Sequence, residues 1–225
     1  MRAGAISAGL FGFAREAPAT GKDTVVGQKR PVASTRSFAE ARFASEQIRG
    51  LVRQVFLSGA LPARQVVFTS IQPEIDVQVV CRKVGQTLAI ETSKDVVIVT
   101  RTSRSDLPPG TQLLDATRRA AKLMEGSLWS LELAGGELNA ESLHDCMTKI
   151  RHEFEYSLIA TLPGASDDAR FMGQVSDGIV LVVSAMRTRR AVAVRFRNAL
   201  AQSRLLGTVL IDREFSVPAA IYKRL

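Results

Sequence analysis

The chain of 225 residues is poor in the residue types that most often mark a reactive site. It has two histidines and two cysteines. Cys81 and Cys146 lie far apart and match no metal spacing, which excludes a zinc module. Both read as reduced, partly buried thiols. His144 and His152 belong to one helical segment, form no ligand set and read as surface histidines. No nucleophile-elbow pattern surrounds Ser157, Ser166 or Ser184. No run of 18 apolar residues occurs, which excludes a spanning helix. The opening MRAGAISAGLFGFA lacks the strongly apolar core of a signal peptide, so a cytosolic tail is the expectation.

What is present is an ordinary globular composition, 46% hydrophobic and 23% charged, with an uneven distribution of charge. The net charge of +8 divides into +6 over residues 1–64, −5 over 65–178 and +7 over 179–225. An acidic centre between two basic ends predicts a polarised surface, able to meet anionic lipid, nucleic acid or an acidic protein segment.

Residues 1–37, rich in Ala, Gly, Ser, Thr and Pro, read as a flexible N-terminal arm. Residues 38–225 read as one α/β domain. The spacing of Phe38, Phe43, Ile48, Leu51, Val52 and Val55 predicts a helix that stops at Gly59. Strands are expected at 65–70, 95–101, 128–133, 156–162, 177–185 and 207–212. Helices are expected at 77–90, 113–124, 140–153 and 188–204. Asp167-Asp168, after Pro163-Gly164, reads as a solvated turn. Apolar strands without strict alternation imply burial on both faces, and their alternation with helices implies a doubly wound, mostly parallel sheet flanked by helices.

The segment QVVFTSIQPEIDVQVV (65–80) has the strand–loop–helix order in which phosphate-binding loops cradle nucleotides. It holds no glycine and no lysine. Glu74 and Asp76 occupy the loop, and Val77 stands where the phosphate-binding lysine is expected.

Together these segments resemble the cytoplasmic domain of bacterial tyrosine kinases that accompany polysaccharide synthesis and export, within the wider MinD/ParA-like group of P-loop ATPases, which implies a P-loop NTPase-like fold. The resemblance covers about residues 40–212. SEQIRGLVRQVF is similar to the E-x-x-R helix of those kinases, which implies ring assembly through Glu46 and Arg49. VVFTSIQPEIDVQVVCRKVGQTLA aligns with TSxxPGEGKST and its helix. Thr69, Ser70 and Pro73 match, while residues 74–79 retain none of GEGKST.

The physical consequences follow residue by residue. Side chains at 74 and 76 obstruct the close approach that glycines allow. Val77 supplies no cation, and Gln78 replaces the magnesium-coordinating hydroxyl with an amide. Two carboxylates beside a triphosphate cost several kcal/mol at an effective dielectric near 20. The Asp-x-Asp strand of the kinases corresponds to Thr100 and Thr102, and the aspartate of the magnesium shell to Ala160. Only Tyr156 and Tyr222 are present, so the autophosphorylated tyrosine-rich tail is missing as well.

The resemblance with these departures implies a non-catalytic pseudokinase or pseudo-ATPase that needs no cofactor. Its expected role is scaffold or regulator in bacterial exopolysaccharide (capsule) biosynthesis and export. Its expected partners are other copies of itself and a membrane-bound export component, with an anionic membrane surface as a further contact and nucleic acid not expected. The expected location is cytoplasmic, peripheral to the inner membrane. The runner-up reading is a ParA/MinD-like protein that binds DNA or anionic membrane through a basic helix. Arg190, Arg197 and Arg204 recur every seven residues over 188–204, opposite a stripe of Val192, Phe196, Ala199 and Leu200.

Overall fold

The computed structural model describes residues 35–58, 62–102, 117–134, 140–161, 166–200 and 202–211. The expected arm lies outside these as far as residue 34, as do Tyr222, Pro163-Gly164 and the last residue of the strand expected at 207–212.

Helix α1 (Thr35–Val52) continues into a π-helical turn, Arg53–Leu57. It is followed by β1 (Gln65–Ser70), α2 (Val77–Thr92) and β2 (Val96–Thr102). A single-turn helix α3 (Thr117–Ala120) leads into a hairpin of β3 (Lys122–Glu125) and β4 (Leu128–Ala134). Then come α4 (Ala140–Glu153), β5 (Tyr156–Ala160), α5 (Ser166–Val175), β6 (Gly178–Ser184), α6 (Arg190–Ala199) and β7 (Leu205–Ile211). The sheet runs β3-β4-β2-β5-β1-β6-β7, parallel except for β3.

All six residues of β1 and all seven of β6 are buried, as their unbroken apolar sequences predict for strands covered on both faces. One layer holds α1 and α2 over Val66, Phe68, Ile98, Leu158 and Val180. The other holds α4 and α5 over Val67, Val97, Val99 and Ile159, with Leu200 and Phe196 of the α6 region against its margin. The crossover from β1 through α2 reaches β2 on one side of β1, and that from β5 through α5 reaches β6 on the other. That reversal puts the topological switch point at the carboxyl end of β1, the usual ligand position in an open α/β sheet.

Three expectations differ from the structure. The helix expected at 113–124 is helical only over Thr117–Ala120 among described residues, and Lys122–Glu125 is a strand. Lys, Leu, Met and Glu all favour helices, but Gly126 at φ 57° turns the chain so that β3 pairs with β4, and pairing overrides propensity. The backbone of Asp167 and Asp168 belongs to helix α5 and not to a turn. Helix α6 ends at Ala199, so Arg204 lies beyond it, and Ala199 is exposed. Leu200, buried at the C-cap, closes the last turn through its amide on the Phe196 carbonyl.

Candidate functional site

The carboxyl end of β1 is tied back on itself. Ser70 Oγ donates to the Gln72 carbonyl at 3.0 Å and accepts from the Gln72 amide at 3.1 Å, and the Ile75 amide donates to the Gln72 carbonyl. Ile75 then plugs into the core under α1 and α2. An aliphatic anchor in mid-loop holds the backbone down where a phosphate cradle would have to curl outward.

Asp76 is the N-cap of α2. Its Oδ1 accepts from the amides of Gln78 at 2.9 Å and Val79 at 3.4 Å. These are unpaired donors at the positive end of a 16-residue helix, the groups that attract anions. The chain supplies its own anion here. Glu74 and Gln78 are exposed beside it, whereas Val77 is 2% exposed and packed in the core. The position read as the lysine site therefore points inward.

On the neighbouring strands Thr100 and Ala160 are register partners across β2 and β5, and Ala160 also pairs with Phe68 of β1. The fold thus places Thr100 and Ala160 toward the carboxyl ends of their strands, beside β1 and the loop that follows it. Both side chains are buried and uncharged. Thr102 is paired through its backbone with Ala134, and its side chain lies outside the described residues. Thr161 anchors the end of β5 by donating its amide and its Oγ1 to the Phe68 carbonyl.

The candidate interface residues fall in two separate places. Glu46 and Arg49 are exposed one turn apart on α1. Arg49 Nε and Arg53 Nε each lie 3.7 Å from the Glu91 carboxylate, so Arg49 also ties α1 to the last turn of α2. Arg190 and Arg197 are exposed on α6, across the sheet from α1, and Arg204 is exposed before β7.

A polar network at the amino end of the sheet was not foreseen from sequence. Asp177 accepts from the amides of Arg64 at 2.8 Å and Gln65 at 2.9 Å, and from Arg151 Nη1 at 3.0 Å. Partial burial works to raise its pKa, but the two amides and the guanidinium outweigh it and hold the carboxyl below its usual value. Arg118 bridges Asp95 and the Glu153 carbonyl while lying over Trp129, at 5.1 Å from the ring centre, and Phe154. Trp129 Nε1 donates to the same Asp95. Asp177 beside Gly178 could have signalled a strand-entry cap, but the two amides it accepts from are more than a hundred residues upstream.

Neither a family model nor a curated protein matches the chain. Solved structures do. The chimerical protein CapA2B2 aligns over 76% of this chain and 86% of its own at a TM-score of 0.65 and 16% identity. The kinase domain of the Escherichia coli tyrosine kinase ETK aligns over 78% and 79% at 0.59 and 15%. The MinD cell division protein of Aquifex aeolicus aligns over 72% and 73% at 0.53 and 17%. Likeness at these identities is one of fold, and the chain carries the fold shared by bacterial tyrosine kinase domains and MinD/ParA-type ATPases.

Proposed function

We propose that this domain is a pseudokinase, a kinase-type fold kept for contacts, acting as scaffold or regulator in bacterial exopolysaccharide biosynthesis and export. The observation that carries the reading is the Asp76 carboxylate on the amides of Gln78 and Val79, the donors a nucleotide phosphate would need. A phosphate arriving there must displace a tethered anion and then lie beside it.

The rest of the site supports the same reading. Phosphoryl transfer depends on positioning and on neutralising charge with lysine and magnesium. Val77 is buried, and Thr100 and Ala160 place neutral groups at the strand ends where carboxylates would organise magnesium. The polysaccharide setting rests on the resemblance of residues 40–212 and on the likeness of fold to the ETK kinase domain. Self-association runs through α1, where the Arg49–Glu91 contact is long and leaves Arg49 half exposed, free to exchange for a carboxylate of another copy. A membrane-bound export component is the second partner.

Calorimetric titration with ATP and magnesium tests the nucleotide half, and binding in the micromolar range would overturn it. Sedimentation velocity of the chain beside Glu46→Lys/Arg49→Glu tests the assembly half. The association constant should fall in the variant; identical behaviour removes α1 as the interface.

A further inference from the structure

From the start of β6 to the end of β7, residues 178–211 contain six arginines and no aspartate or glutamate. Arg187, Arg189, Arg190, Arg195, Arg197 and Arg204 are all exposed. Among the described residues none of their side chains makes an ion pair, and the guanidinium hydrogen bond found among them is a long one, Arg197 Nη2 to Asn198 Oδ1 at 3.4 Å.

The placement of these charges does not serve the fold. A helix N-terminus carries a partial positive charge and favours acids. Arg189 is instead the N-cap of α6 and gives no side-chain cap, Arg190 follows it, and the first turn has no acid. None of the ten residues of α6 is fully buried. Val192, Ala193 and Phe196 are half-buried on its inner side. Val194 lies two residues before Phe196, on the outward side at helical spacing, and is 38% exposed. Arg190 and Arg197 stand one turn to either side of it, with Arg195 adjacent. Met186, in the turn before α6, is 62% exposed.

Guanidinium groups interleaved with exposed aliphatic side chains match a bilayer of anionic lipid. Headgroup phosphates neutralise the arginines, and the aliphatic side chains enter the boundary with the acyl chains. A nucleic-acid backbone would satisfy the charges but leave Met186 and Val194 facing phosphate and water. We infer that the outward face of α6 docks onto an anionic phospholipid surface through Arg187, Arg190, Arg195 and Arg197, with Met186 and Val194 inserted. This docking is independent of whether the loop at 71–76 binds nucleotide.

Vesicle sedimentation of the full chain tests it, with phosphatidylcholine alone and with equal parts phosphatidylcholine and phosphatidylglycerol. The chain should partition onto the anionic vesicles only, and less so as salt rises. At about fivefold per arginine near such a surface, Arg190→Gln/Arg195→Gln/Arg197→Gln should lose roughly a hundredfold. Met186→Ser/Val194→Ser should lose about tenfold on vesicles and leave affinity for a DNA duplex unchanged. All five positions are exposed, and an unchanged thermal melt verifies each variant. Equal partition onto both vesicle types, or none onto the anionic ones at low salt, would overturn the inference. So would an unaffected triple-arginine variant, an unaffected aliphatic variant, or tighter binding to the duplex than to the anionic vesicles.

Discussion

Replacing Asp76 separates its two roles, cap of α2 and occupant of the phosphate position. In Asp76→Ala the amides of Gln78 and Val79 lose their acceptor. A lost N-cap costs about 1 kcal/mol, within a range of roughly 0.5–2. The second bond is long at 3.4 Å, so the lower half of that range applies to the geometry and the helix dipole adds a few tenths. For a domain of this size about 1 kcal/mol lowers the melting temperature by roughly 2–4 °C. Asp76→Asn keeps an oxygen in place and should stay within about 0.5 kcal/mol of the parent. Thermal melts with and without magnesium ATP then read the second role. A ligand at a hundred times its dissociation constant stabilises by about 2.7 kcal/mol, an easily seen shift. Neither variant should shift, because the buried Val77 supplies no cation once the carboxylate is gone. An Asp76→Ala protein as stable as the parent would show that the carboxylate does not hold the amides. A melt of that variant raised several degrees by ATP would refute the reading of the loop as closed to phosphate.

Asp177→Asn should cost about 2 kcal/mol, because a charged acceptor of two amides and a guanidinium is neutralised. The native pKa of Asp177 is depressed, so its contribution is present above the unfolded carboxyl value, near 3.9, and is lost as pH falls through the lower native value. Urea midpoints measured from neutral to about pH 3 should therefore fall less in the variant than in the parent. In Gly178→Ala the new Cβ would lie 2.5 Å from the Arg204 carbonyl oxygen, a backbone atom that cannot swing aside, and the expected loss is about 1–3 kcal/mol by thermal or urea unfolding. Glu91→Gln should cost less than about 1 kcal/mol, since both arginine contacts are 3.7 Å and their side chains are more than half exposed. A larger loss in its urea unfolding would show a tighter α1–α2 tie than these distances allow.

Much of the fold is legible along the chain because it depends on local pattern. QVVFTS and GIVLVVS are apolar without alternation, so both faces of each strand must be covered, and both lie inside the sheet. The 140–153 helix matches its expected bounds, since its apolar positions repeat at helical spacing. The chemistry of the loop is legible too, because charge and size belong to residue types: Glu74 and Asp76 are anions and Val77 is not a cation wherever they point.

Direction and partnership are set elsewhere in the chain. Lys122–Glu125 has the composition of a helix and becomes a strand only by pairing with β4. Val77 reads as a missing lysine, but the packing of α2 against α1 and the sheet turns it inward. Asp76 reads as a repulsive group facing a ligand, and the start of α2 makes it the ligand of the helix itself. Asp177 with Arg64 and Arg151, and Asp95 with Arg118 and Trp129, join residues 23 to 113 positions apart. The sequence by itself determined the buried central strands and the residue types of the loop at 71–76, because local periodicity and composition suffice for both. Only the tertiary structure decided where each charge points and what it meets, because those contacts are made between segments that the sheet brings together.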